Sequence, residues 1–377
     1  MVARQEELRG RLSALGFDEV RFARLSAGAT GDGLRHWLDS GYHADMDWME
    51  RTAQKRMDPG LVLEGARSAI LLGVSYFDAE LKGSGTAPAP AWAKYSLNVD
   101  YHDTMKPALA AAGKVIEEMY GVQAADYRYY VDTGPVLERA WAAQSGVGFI
   151  GKNSMLISRQ HGNWLFLASV LTRLDFEADP PLKGRGEPGA IGLLCGKCTR
   201  CMDACPTQAF PAPGVVDASR CISYQTIENK GVIPVGMRSA IGNRIYGCDT
   251  CLDVCPWNRF AREGRRMILS SRREIAGLTL AQILAMTREE FARVFKGTAI
   301  KRVKFVGLMR NACIVAGNSG DLGLVDSLLN LATHESPIVR AHAVWAVRRL
   351  GAGERLAGLR TRETDPAVKA EFEAALQ

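Results

Sequence analysis

The chain has no run approaching the roughly 18 apolar residues that a membrane helix needs, so a helical membrane span is excluded. Its first residues, MVARQEELRGRLSALGF, mix charge with apolar side chains at helical spacing and contain no uninterrupted apolar stretch before a small-residue cleavage site. Export is therefore not expected, and a cytoplasmic protein with reduced thiols is. Cysteine is missing from the first 194 residues, and a positive excess is missing from the first 258, which hold 27 Lys+Arg against 29 Asp+Glu. The whole excess lies from Arg259 onward, at 20 against 12, and residues 259 to 310 alone carry 13 basic and 4 acidic side chains, Arg265, Arg266, Arg272 and Arg273 among them. A polyanionic partner for that segment is one reading, and a solvated surface with charged helix ends is the other. With 377 residues, 47% hydrophobic and 23% charged, the composition is that of a globular protein of two or three domains.

Helical and strand-like segments alternate over the first 180 residues. Glu6 to Leu15 and Lys106 to Tyr120 have helical periodicity, whereas Ser68 to Tyr76, Tyr127 to Val131 and Trp164 to Thr172 are short apolar or β-prone runs. An α/β or α+β domain over 1–185 follows, with a flexible loop at Lys82 to Ala91 and a Pro- and Gly-rich connector at Glu177 to Gly192. A cysteine-rich domain over 186–260 and a helical domain over 261–377 complete the expected organisation. In the last of these, Ser336-Pro-Ile-Val-Arg-Ala341 recurs 29 residues later as Asp365-Pro-Ala-Val-Lys-Ala370. Each run offers an N-cap followed by proline, so short HEAT-like helix pairs are expected, or else an ordinary helical bundle.

Eight of the nine cysteines fall in Cys195-x2-Cys198-x2-Cys201-x3-Cys205-Pro206, then Cys221, then Cys248-x2-Cys251-x3-Cys255-Pro256. The first run has bacterial ferredoxin spacing, in which three thiolates wrap one cubane cluster and the Cys-Pro turn delivers the fourth to a second cluster. The second run carries Ile245 where its first cysteine would stand, and Cys221 is the nearby thiol able to replace it. Cluster one is thus assigned Cys195, Cys198, Cys201 and Cys255, and cluster two Cys205, Cys221, Cys248 and Cys251. Structural zinc does not demand that hand-off, and disulfides are disfavoured in a reducing compartment. Cys313 lies in an apolar helix and reads as core. Gly146-Val-Gly148-Phe-Ile-Gly151 matches a dinucleotide fingerprint literally, but it follows an expected helix from Pro135 instead of a strand; it is read as a glycine-rich loop approaching a ligand.

The runs YVDTGPVLERAWAAQSGVGFIGKNS (Tyr130 to Ser154), CGKCTRCMDACPT (Cys195 to Thr207), CISYQTIE (Cys221 to Glu228) and YGCDTCLDVCPWN (Tyr246 to Asn258) closely resemble the epoxyqueuosine reductase family, as do Lys94 to His102 and Lys55-Arg56 ahead of Asp58-Pro59. The resemblance implies a cobalamin-dependent enzyme with two [4Fe-4S] clusters. Its expected fold is related to reductive dehalogenases and nitroreductases, with a ferredoxin-like two-cluster domain and a basic HEAT-like tail. The implied reaction removes the epoxide oxygen of epoxyqueuosine at the wobble position of tRNA. It also implies Asp132 as proton donor, and a corrin site of Arg56, Tyr95, Asp132, Asn153, Ser154, Leu156, Ser158, Ser223, Cys248 and Asp249. Lys94 and Asn98 stand where the family pattern leads one to expect Arg and Gly.

The residues support that chemistry on their own terms. Converting an epoxide to an alkene takes two electrons and two protons, and the oxygen leaves poorly unless protonated. Asp132, at the end of a β-prone run among aromatics, is placed for a carboxyl that desolvation keeps protonated, or else for capping the helix that follows. His102 is either an acid–base group or a structural histidine. For the anticodon loop the expected contacts are Asn229, Lys230, Arg238, Lys301, Arg302, Lys304, Arg310, Asn311 and Arg340. A flavodoxin- or ferredoxin-type donor and a monomer are expected. The other readings are a dehalogenase-like enzyme on a small molecule and a two-cluster electron carrier.

Overall fold

The computed structural model describes residues 2–27, 31–79, 89–184, 187, 189–264 and 269–374. Most of the expected loop at Lys82 to Ala91, and Arg265 and Arg266, lie outside the described residues. The chain forms two compact units, each assembled from separate stretches. The first comprises Met1–Glu80, Asp100–Asp217 and Thr250–Ser270, and the second Leu81–Val99, Ala218–Asp249 and Ser271–Gln377. The cysteine-rich segment is therefore divided: Cys221 and Cys248 belong to the second unit and the other six thiols of the motif to the first.

The first unit is built on an antiparallel sheet of β1 (Glu19–Arg24), β2 (Ser68–Ser75), β3 (Tyr127–Val131) and β4 (Leu165–Thr172), ordered β1-β2-β4-β3. All three pairings are antiparallel, with Ser68 opposite Thr172 and Val131 opposite Ala168. The arrangement is the α+β form of the expected class. β2 is buried along its whole length, as a central strand covered on both faces must be. Ala23, Ala69, Leu71 and Leu171 form one core with Trp141 and Ala142 of α3 (Glu138–Gln144). Helices α1 (Val2–Ala14) and α2 (Tyr101–Tyr120) pack against each other, α1 also against β1 and α2 against β3. The Asp100 carboxylate accepts the His102 N–H and so caps α2. Gly121, in the left-handed region at φ 69°, ends it.

The second unit centres on α4 (Lys304–Ser319), α5 (Val325–Leu331), α6 (Pro337–Arg349) and α7 (Pro366–Glu373). The two Pro-initiated helices begin at the recurring motif, with Ser336 and Asp365 at the N-cap. Trp345, Met309 and Cys313 are in the core, and burial pushes the Cys313 thiol strongly up, so it is an inert core residue as the sequence suggested.

This core also holds charge. Arg238 is fully buried, bidentate to Glu371 at 2.8 and 2.6 Å, with its Nε donating to the Ile233 carbonyl. Arg310, 1% exposed, donates to the carbonyls of Asn229, Gly231 and Gln225 and to the Asn311 side chain. Among the described residues no helix is long and apolar enough to cross a membrane.

Candidate functional site

β3 ends at Val131, and Asp132 follows with φ 58°, a left-handed conformation that non-glycine residues rarely adopt. The Tyr101 hydroxyl donates to Asp132 Oδ2 at 2.6 Å, and His102 Nε2 lies 4.0 Å from the same oxygen. Tyr101 is itself fixed by stacking on Phe166, with ring centroids 4.3 Å apart. The Asp132 side chain is 66% exposed. This corrects the expectation that the protein's own residues desolvate it. Nor does Asp132 cap the following helix: α3 starts at Glu138, with Leu137 at its N-cap, and not at Pro135.

The desolvated carboxyl beside it is Glu138. Its Oε1 is buried with no hydrogen-bond partner. Burial, opposed by a hydrogen bond from its own backbone N–H and by Arg56 and Arg139 and reinforced by the Asp132 charge, pushes this carboxyl up to about 8. Arg56, at the end of a short helix Ala53–Met57, donates from Nε to Thr52 and from Nη1 to the Val136 carbonyl at 3.4 Å. Arg139 donates to the Ser154 carbonyl at 2.6 Å. These two guanidinium groups tie the loop after Asp132 to the Thr52 turn on one side and to Ser154 on the other. Gly134 permits this path, since a Cβ there would lie 2.3 Å from the Tyr130 ring.

Other expected corrin contacts have structural duties. Asn153 donates to Asn163, whose amide donates in turn to Asn258, an internal ladder within the first unit. Ser158 is fully buried, and its Oγ accepts the Gln160 and His161 N–H groups. Leu156 pairs with Ile150 in a two-residue ladder. Gly148 of the run Gly146 to Gly151 serves this ladder: a Cβ there would lie 2.4 Å from the Ile157 carbonyl oxygen. At Gly148 the close approach is to the protein's own backbone. In the second unit Asp249 is buried and accepts the Lys94 N–H at 2.7 Å, which fixes the turn carrying Tyr95. Ser223 lies in the helix Ile222–Ile227 that follows Cys221.

Cys195, Cys198, Cys201 and Cys255 line one cavity of about 250 Å³ with Lys152, Leu194 and Trp257. Turns bring them there: Cys195 N–H bonds Gly192 O, Cys198 N–H bonds Cys195 O, and Cys255 caps the turn Pro256–Phe260. Burial, and then the neighbouring Cys195 and Cys255 thiols, push Cys201 up to about 11. Among the described residues no three His, Cys, Asp or Glu side chains converge as ligands of a single ion. Four thiols spaced around a cavity suit a cubane cluster better than one zinc.

Several expected RNA contacts are corrected by burial. Arg238, Arg310, Asn311 and Asn229 are all less than 9% exposed, and their polar side-chain atoms are used inside the second unit. Arg340 is bidentate to Glu363. Lys230 is exposed with its ammonium on the Ile227 carbonyl. Lys301 and Lys304 are exposed, and Arg302 is half-buried. Residues 259 to 310 thus do not form one uniform basic face. Arg272, for example, donates to the Val294 and Lys296 carbonyls.

Tyr101 and Glu138 were missed by sequence reasoning, although both stand inside or next to motifs singled out there. Nothing in a linear pattern marks which tyrosine reaches Asp132 or which glutamate turns a carboxyl oxygen inward.

Comparison with known proteins agrees with these features. Residues 194–258 match the model of a 4Fe-4S double cluster binding domain, and residues 56–133 match the model described as Epoxyqueuosine reductase QueG, DUF1730. The chain is 35% identical over 341 residues to the epoxyqueuosine reductase of Pseudomonas aeruginosa, covering 89% of this chain and 92% of that one. It is 34% identical to the Escherichia coli enzyme of the same name, covering 88% and 86%. A crystal structure of epoxyqueuosine reductase with an epoxyqueuosine-modified tRNA-Tyr stem loop superposes with a TM-score of 0.82 at 29% identity, covering 99% of this chain and 97% of that one. The Bacillus subtilis enzyme, in a form with its catalytic aspartate loop swung out of the active site, gives 0.82 at 29% identity, covering 99% and 98%. The chain therefore belongs to the epoxyqueuosine reductase family.

Proposed function

We propose that this chain reductively removes the epoxide oxygen of epoxyqueuosine in tRNA, with Asp132 delivering the proton that makes the oxygen a leaving group. The observation that carries this reading is the carboxyl of Asp132, held by Tyr101 at the end of β3 beside His102, Arg56 and the half-buried Glu138. Two protons are needed, and two carboxyls of contrasting environment stand within electrostatic reach of each other. Arg56, Asp132, Ser154, Leu156 and Tyr95 would hold a corrin, which when bound supplies strongly reducing, nucleophilic cobalt. Asn153, Ser158 and Asp249 would shape that site through the bonds they make within the protein, and Ser223 and Cys248 are further proposed contacts.

Cys195, Cys198, Cys201 and Cys255 would hold one [4Fe-4S] cluster and Cys205, Cys221, Cys248 and Cys251 the other, groups that when bound supply electrons one at a time. Lys301 and Lys304, exposed, are the cations proposed for phosphate contact, with Arg302 and Lys230 beside them in the expected set. The helix pairs from Lys304 onward are read as HEAT-like, and the three segments 1–185, 186–260 and 261–377 as carrying corrin, clusters and RNA. The protein is read as a cytoplasmic monomer fed by a reduced flavodoxin- or ferredoxin-type donor.

The experiment is Asp132→Asn, assayed anaerobically on an epoxyqueuosine-modified stem loop with iron and corrin content measured in parallel. The expected result is a loss of about 100-fold or more in single-turnover rate with both cofactors retained. A variant that keeps the wild-type rate would remove Asp132 as the proton donor.

A further inference from the structure

The cavity lined by Cys195, Cys198, Cys201 and Cys255 opens beside an exposed aromatic shelf. Phe260 is 44% exposed, Trp257 lies 5.5 Å behind it, and the Arg259 guanidinium sits 4.6 Å over its ring. Phe260 follows Cys255 by five residues and lines the same cavity as the four thiols. Lys197 and Arg200 stand between the closely spaced thiols, exposed. Like Arg259, they make no ion pair among the described residues. Phe260 keeps an exposed face beyond its contact with Trp257, with the Arg259 cation on its ring, and Lys197 and Arg200 neighbour in sequence the thiols that line the same cavity. Over a redox centre such a face is complementary to a protein whose own redox group is planar, apolar at its edge and surrounded by carboxylates.

We propose that this face, Phe260 with Arg259, Lys197 and Arg200, is the docking surface for an acidic flavodoxin-class donor, whose flavin edge meets Phe260 above cluster one. The inference rests on the reductase reading given above and adds to it the place where electrons enter. The balance is simple. Each encounter oxidises the reduced flavin by one electron and lowers the charge of the cluster by one. Two encounters supply the two electrons that, with two protons, turn the epoxide into an alkene and water.

The test uses anaerobically purified holoenzyme, Lys197→Glu/Arg259→Glu and Phe260→Ala variants, and a purified acidic flavodoxin. Binding is measured calorimetrically at low and high salt, and turnover with flavodoxin is compared with turnover driven by dithionite and methyl viologen. Docking here predicts wild-type affinity that falls steeply with salt. The charge-reversed variant should bind at least ten-fold more weakly, Phe260→Ala should transfer electrons several-fold more slowly, and viologen-driven turnover and iron content should be unchanged. Unchanged flavodoxin affinity in both variants overturns the proposal, as does salt-independent wild-type binding. An acidic ferredoxin that is sensitive to these substitutions where flavodoxin is not, or variants that lose stem-loop affinity instead, would assign the face to another partner. Wild-type protein that fails to turn over even with viologen would sink the reductase reading, while the binding comparison would still decide the docking face.

Discussion

Glu138 offers a direct physical test of the site. Its folded-state carboxyl is pushed up to about 8, chiefly by burial, against an ordinary value of 4.5. Between those two values the folded protein holds a proton that the unfolded chain has released. Stability must then fall as pH rises, by about 1.4 kcal/mol per pH unit from this group alone, with an upper bound of about 5 kcal/mol once pH exceeds 8. Below about 4.5 both states are protonated and the group contributes no slope. Glu138→Gln is close to isosteric with the neutral form and cannot ionise, so the variant should gain on wild type steadily between pH 5 and 8. The assay is thermal unfolding followed by circular dichroism at half-unit pH intervals. Infrared difference spectra of the two proteins should also reveal a protonated carboxyl at pH 6.5 that is gone at pH 9.5. Parallel stability profiles, or a carboxylate band already present at pH 6.5, would refute the argument that burial controls this group.

Removing one partner of the fully buried Arg238–Glu371 pair leaves an uncompensated charge, so Glu371→Ala should destabilise the second unit by about 3–5 kcal/mol; urea unfolding read by Trp345 fluorescence checks it. Cys255→Ser should lose about four irons per chain and Cys313→Ala none, which metal analysis after anaerobic reconstitution decides. Lys301→Glu with Lys304→Glu should weaken binding of an epoxyqueuosine stem loop by about ten-fold and reduce its salt dependence, whereas the exposed Arg355→Glu should leave binding unchanged in the same fluorescence anisotropy titration.

What was legible in the sequence had a local or strictly spaced signature. Tyr127–Val131 reads as a strand from its β-branched and aromatic residues and is one. The Pro-initiated helices begin where Ser336 and Asp365 announce them. Thiol spacing carries the two-cluster assignment because cubane geometry fixes how short a loop can be between ligands. Arg238, Arg310, Asn229 and Asn311 were read as RNA-facing for the opposite reason. Arginine density says nothing about which guanidinium groups are spent on buried carbonyls, as Arg310 is, and burial of a charge is decided by partners distant in the chain, such as Glu371 for Arg238. The division into units also escaped a linear reading, because residues 250–270 return to the unit that residues 218–249 leave. Asp132 is the intermediate case. Its strand-end position was readable, but its exposure was not, since that depends on where Tyr101 and the loop through Gly134 come to rest.

The left-handed backbone at Asp132 narrows what can stand there before any chemistry is considered. Aspartate, asparagine and glycine tolerate that conformation; alanine and the β-branched residues are strained in it. Asparagine therefore isolates the loss of the acid, whereas alanine would mix that loss with a rearranged turn and glycine with a slackened one. Backbone geometry reduces the admissible residues to a handful, and the need for a transferable proton selects aspartate from among them. A screen of substitutions at this position should accordingly separate into two classes, those that fold with the turn intact but do not react, and those that shift the turn itself.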